Sequence, residues 1–146
     1  MKISIHITPE QEDTELIVSC KKLTPEIERM IATLRMMDNQ LTVRLDDTIH
    51  ILDVYEILYV EAVDRKTFVY TENQVFESDF RLYELEGQLP DSYFFRINKS
   101  CIVNLRKIKT LKADLERRIR ITMDNGEQLI ASRMYADELR KRLGVK

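Results

Sequence analysis

What is scarce in these 146 residues narrows the field quickly. The two cysteines, Cys20 and Cys101, have no Cys-x-x-Cys spacing. They make neither a disulfide framework nor a metal knuckle, and a reduced, cytoplasmic setting is the plain inference. Three glycines and three prolines leave no material for a long flexible linker. The only histidines, His6 and His50, fall in segments that read as strands, and no glycine-rich loop or Ser/His/Asp grouping accompanies them. The acidic residues of the first 93 positions are scattered, so paired-carboxylate chemistry has no anchor. These absences point away from an enzyme, a small-molecule substrate, a cofactor or a metal site. No apolar run approaches the roughly 18 residues needed to span a bilayer. The amino terminus alternates apolar and polar residues instead of carrying a secretory apolar block.

What is present is ordinary in total and uneven along the chain. A hydrophobic fraction of 44% beside 33% charged residues fits a soluble globular protein of one domain with an appendage, or two small ones. Residues 1–93 carry 9 Lys/Arg against 19 Asp/Glu, a balance of −10. Residues 94–120 carry 9 against 2, or +7, and residues 121–146 carry 5 against 4. The whole-chain charge of −2 therefore hides a strongly basic segment, the footprint expected for phosphate contact. A solvated, charge-decorated sheet face would carry the same numbers.

In the first 39 residues, Ile3, Ile5 and Ile7 alternate like a strand, and Glu15–Cys20 reads as a second. Thr24-Pro25-Glu26 is a helix start, with Thr24 as cap and Pro25 at the first helical position. Ile27, Met30, Ile31, Leu34 and Met37 follow at helical spacing, to a stop near Asn39. A strand–strand–helix unit over 1–39 is too small for an independent core and must pack on the remainder or pair two subunits. Over 40–146 the pattern is short strands and turns, with no sustained β-α-β alternation. A helix capped by Ser78 is expected over Asp79–Leu89, a hairpin turn at Asp124-Asn125-Gly126, and a closing helix over Met134–Leu143 stopped by Gly144. The expected class is mostly β with short helices.

Within the basic segment, Phe95 and Ile97, then Cys101, Val103 and Leu105, alternate around a polar break at Asn98-Lys99-Ser100. Asp64-Arg65-Lys66 and Ser132-Arg133 are similar breaks at strand ends. Each sets a basic residue beside a short hydrogen-bonding one. Arg and Lys donate to guanine acceptors and phosphates, and Asn pairs with adenine. Phe94 and Phe95 abut apolar residues and read as core, not as stacking platforms. Cys101, inside an apolar alternation, reads as a buried inert thiol. The competing class is a protein-interaction module that docks an acidic partner on the basic face.

The run Phe95-Arg96-Ile97-Asn98-Lys99-Ser100-Cys101-Ile102-Val103-Asn104-Leu105, with Asn125-Gly126-Glu127 and Ser132-Arg133-Met134-Tyr135 after it, resembles the LytTR family of bacterial DNA-binding domains. Ile57–Ala62, Leu82–Glu86 and Leu89-Pro90 add to the likeness, which covers about 41–144. The resemblance implies a mostly β fold that reads successive major grooves from loops between strands and bends the duplex. It implies a transcription regulator on paired repeats, usually as a homodimer. Lys66, Asn98, Lys99 and Arg133 match the family's base-reading places. Arg65, Arg96, Ser100, Arg106, Lys107 and Lys109 are then expected to hold phosphates or support the loops. Met134 departs from the basic residue often found at its place, which leaves Arg133 as the donor. The leader over 1–39 is too short for the receiver domain of many members, so a receiver aspartate is not the expected switch. In some short members a membrane protein restrains the regulator; these residues show no such partner.

Overall fold

In the computed structural model, which describes residues 1–146, the first helix begins where the capping signals place it. Helix α1 spans Pro25–Met37, and Thr24 Oγ1 accepts from the Ile27 N–H at 3.3 Å. Pro25 lacks an N–H where none would be paired anyway. The chain then runs through strands β1 (Gln40–Leu45), β2 (Thr48–Asp53), β3 (Tyr59–Val63), β4 (Lys66–Tyr70) and β5 (Val75–Ser78) to helix α2 (Leu82–Gln88). Strands β6 (Phe94–Asn98), β7 (Cys101–Asn104), β8 (Ile108–Ala113), β9 (Ile119–Met123) and β10 (Gln128–Ala131) precede the closing helix α3 (Arg133–Leu143). Gly144 ends α3 at φ 70°, a left-handed position that suits a residue without Cβ.

Seven strands form one sheet in the order β2-β1-β5-β4-β3-β7-β6, and β10-β9-β8 form a second. All pairings are antiparallel. Alternation along the strands sends side chains to two separate cores. One gathers Leu41, Val43, Val60, Val69 and Ile102 with Met36 of α1 and Leu82 and Leu85 of α2. The other gathers Tyr59, Ile97, Cys101 and Val103 with Ile119 and Ile121 of β9 and Ala136 and Leu139 of α3. Each fully buried aliphatic contributes on the order of 1.5–3 kcal/mol by area. The β3-β7-β6 part of the large sheet is thus covered on both faces, which fixes the ends of β3, β6, β7 and β10 relative to one another.

Two expectations differ from this architecture. The strands expected at Ile3–Ile7 and Glu15–Cys20 do not form. Residues 1–23 are exposed, and their one backbone hydrogen bond runs from Gln11 N to Thr8 O at 3.0 Å. Alternation gives a segment the capacity to pair, but a strand is held only by a ladder and a buried face, and residues 1–23 make neither. Helix α2 also starts later than expected. Ser78 closes β5, and its Oγ accepts from Phe80 N at 3.1 Å in a tight turn that buries Phe80. The helix instead opens at Arg81, whose N–H donates to Glu84 Oε1 at 3.0 Å.

Candidate nucleic-acid interface

The three polar breaks meet at one end of the large sheet. Strand β3 runs toward that end and turns through Asp64 and Arg65, both left-handed at φ 49° and 67°, before Val63 pairs with Lys66. A two-residue turn with positive φ at both positions matches the right-handed twist of a hairpin. Neither residue is glycine, so the conformation carries a local cost. Beside it, the β6–β7 hairpin turns through Lys99 and Ser100, since Asn98 pairs with Cys101. Ala62 N donates to Ser100 O at 2.8 Å and ties the two tips together. The start of α3 is tied to the same place, because Ser132 N donates to Ile97 O at 2.8 Å.

The 98–100 loop is built from inside. Asn98 Oδ1 accepts from Ser100 N at 2.8 Å and from Ser100 Oγ at 3.1 Å. Asn98 Nδ2 donates to Ile130 O at 2.8 Å. One amide N–H of Asn98 is left for a partner. Arg96 lies beneath: its Nε donates to Asn98 O at 3.0 Å, its Nη2 to Lys99 O, and its Nη1 to Glu86 at 3.2 Å. Arg96 and Ser100 are therefore spent on holding the backbone of Lys99. Arg65, Lys66, Lys99 and Arg133 stand exposed at these junctions and make no ion pair. A cleft of about 660 Å³ is lined by Asn98, Lys99, Ser100, Ser132, Arg133, Met134 and Tyr135.

The rest of the basic run is divided by the topology. Arg106, Lys107 and Lys109 follow β7 at its other end, where Arg106 lies over the Tyr93 ring at 4.8 Å and Lys107 O accepts from Asp124 N at 2.9 Å. Arg117 and Arg118, in contrast, return to the tips: Ile119 pairs with Ala131, the residue before Ser132. Arg120 is engaged by Asp114 at 3.1 Å and by Gln128 at 3.0 Å. The Leu115 N–H donates to Asp114, and this bond, with Arg120 beside it, holds the Asp114 carboxyl below the usual carboxylate range. Cys101 is buried, and burial pushes its thiol well above the ordinary range, in keeping with an inert side chain. Phe94 is buried and Phe95 half-buried against Tyr135, so neither presents a ring to a base.

With this geometry in place, the LytTR DNA-binding domain model matches residues 47–144. The chain belongs to the LytTR family. An HTH-type transcriptional regulator of Staphylococcus aureus strain MSSA476 is 29% identical over 147 residues, covering 99% of both chains. Another, from strain MRSA252, is 28% identical over the same span. The LytTr DNA-binding domain of a Bacillus cereus protein described as a methyl-accepting/DNA response regulator is 34% identical. It superposes with a TM-score of 0.69 over 73% of this chain and 97% of that one. The three helices here are separated by strands, so the LytTR domain presents no helix-turn-helix. In sequence Arg117 and Arg118 are two of the nine basic residues of the 94–120 segment. Their return to the tips follows from the β8–β9 pairing, and its local signal, left-handed Glu116 and Arg117 at φ 58° and 63°, is not one that those residue types advertise. No helix is long and apolar enough to cross a membrane.

Proposed function

We propose that this protein is a cytoplasmic, non-enzymatic transcription regulator that binds double-stranded DNA sequence-specifically and uses no cofactor. In this reading Lys66, Lys99 and Arg133 donate to base edges in the major groove, and Asn98 contributes its one remaining N–H. Arg65, Arg117 and Arg118 neutralise phosphates beside them. The observation that carries the reading is the convergence of exposed, unpaired cations on rigid hairpin tips and a helix start at a single end of the sheet. Two copies occupy paired repeats, one per half-site. Met36 anchors α1 in the core, and the exposed residues 1–23 are the part of the leader free to meet a second copy.

The test is to sequence the genomic fragments that the purified protein retains, then to compare gel shifts on that DNA and on a scrambled version. Selective retention of one sequence class supports the reading. Equal binding to scrambled DNA, or none to either, refutes it. Complexes formed on one repeat and on two count the copies bound.

A further inference from the structure

The cleft between the tips contains one side chain that its chemistry does not explain. Met134 is 79% exposed in the first turn of α3, while Ala136 and Leu139 of the same helix are buried. Met134 therefore contributes nothing to the core. Single exposed apolar residues are common on protein surfaces and need no account of their own. Met134 is set apart by its place: it shares the cleft wall with Lys99 and Arg133, amid Asn98, Ser100 and Ser132. An apolar, unbranched thioether flanked by two free cations is poorly matched to phosphate or to a guanine edge. It is well matched to the one apolar group that the major groove displays, the C5-methyl of thymine. Methionine suits such a contact because its flexible, polarisable chain adapts to a small protruding group.

We propose that Met134 is a specificity-determining residue that reads a thymine methyl next to the base contacted by Arg133. This rests on the proposed function and adds a base-type preference to it. Lys99 and Arg133 supply donors on either side, and Met134 excludes water from the methyl between them. One apolar reader beside a cationic one would ask for adjacent T and G within each half-site.

The experiment uses the full chain and the retained operator, replacing each thymine singly by deoxyuridine, which removes only the methyl group. Wild-type protein should lose about fourfold in affinity at one thymine, the worth of one buried methyl-sized group. Met134→Ala should bind the thymine and deoxyuridine forms alike, with circular dichroism confirming an unchanged fold. Met134→Arg should shift the preferred base at that position toward guanine. If wild type distinguishes no thymine from deoxyuridine while still preferring the operator over scrambled DNA, the inference falls and the regulator reading stands. The same conclusion follows if Met134→Ala keeps the full distinction. Loss of all preference for the operator in wild type would instead defeat the regulator reading.

Discussion

Replacing Arg96 by alanine separates two roles that the same residue could play in DNA binding. A phosphate contact and a brace beneath the 98–100 loop both predict weaker binding, but they differ in salt dependence. The guanidinium donates to two backbone carbonyls, Asn98 O and Lys99 O, and its side chain is 20% exposed. Hydrogen bonds from charged donors contribute about 1.5–3 kcal/mol each when buried. Partial exposure discounts that, and the Glu86 pair on the rim adds little. A loss of about 2 kcal/mol in folding stability follows, or roughly 4–8 °C in Tm for a domain of this size. Without the brace the backbone of Lys99 must be ordered on binding, at about 1–2 kcal/mol per residue. Affinity for the operator should therefore fall about tenfold. Affinity for random DNA should barely change, because the charge of Lys99 remains. The assay is a fluorescence anisotropy titration on both DNAs across roughly 50–200 mM salt. As a brace, Arg96→Ala leaves the slope of log K against log salt unchanged. A slope lower by about 0.9, with equal losses on operator and random DNA, would mean that Arg96 meets a phosphate and the brace argument is wrong. Arg96→Lys should resemble the alanine variant, since one ammonium cannot bridge both carbonyls as the fork does.

Asn104 is 1% exposed and is predicted to matter for the fold alone. Its Nδ2 donates to Ile57 O at 2.9 Å, and its Oδ1 accepts from Arg106 N at 3.0 Å. Asn104→Ala should cost about 2–4 kcal/mol in urea unfolding by leaving buried backbone groups unpaired; a loss below about 1 kcal/mol would contradict that. Alkaline pH should also destabilise the fold. Burial pushes Cys101 above its ordinary 9.0 and pushes the stacked phenols of Tyr59 and Tyr70 above 10.0, so the unfolded chain releases these protons first. Stability is then full below about pH 9 and declines as pH rises, with a slope of up to roughly 1.4 kcal/mol per pH unit for each such group. Tyr59→Phe should flatten that decline in denaturant melts taken from pH 8 to 11, and an unchanged slope would refute the assignment.

Much of the β region was legible because local chemistry and tertiary context agree there. Thr24-Pro25 starts a helix, and Asn125-Gly126 turns a hairpin with Gly126 at φ 89°. The leader differs for the opposite reason: alternation at Ile3, Ile5 and Ile7 states what a strand could cover, and no tertiary contact there completes it. Helix α2 shows a third case. Ser78 does cap a turn, but Phe80 is drawn into the core and the helix waits three residues for Arg81 and Glu84. At the interface, the junction residues were identifiable as polar breaks beside apolar strands. Their convergence depends on β3 and β10 flanking the β6–β7 hairpin, a pairing of segments more than 30 residues apart that no local pattern encodes.

The same distinction between charge along the chain and charge in space yields a sharp expectation for Arg106. In sequence it sits seven residues from Lys99, inside the +7 segment. In space the whole of β7, about 13 Å of strand, lies between them, and its guanidinium rests on Tyr93. A duplex seated on the hairpin tips does not reach it. Arg106→Ala should leave operator affinity within about twofold and the salt slope unchanged, while the lost ring contact costs about 0.5–1 kcal/mol of stability. The anisotropy titration used for Arg96 measures the first, and urea melts measure the second. A slope reduced by about 0.9 would place a phosphate against the Tyr93 end. That result would require the duplex to curve along the β6–β7 hairpin instead of resting on its tip, and Lys107 and Lys109 would join the contact surface with Arg106.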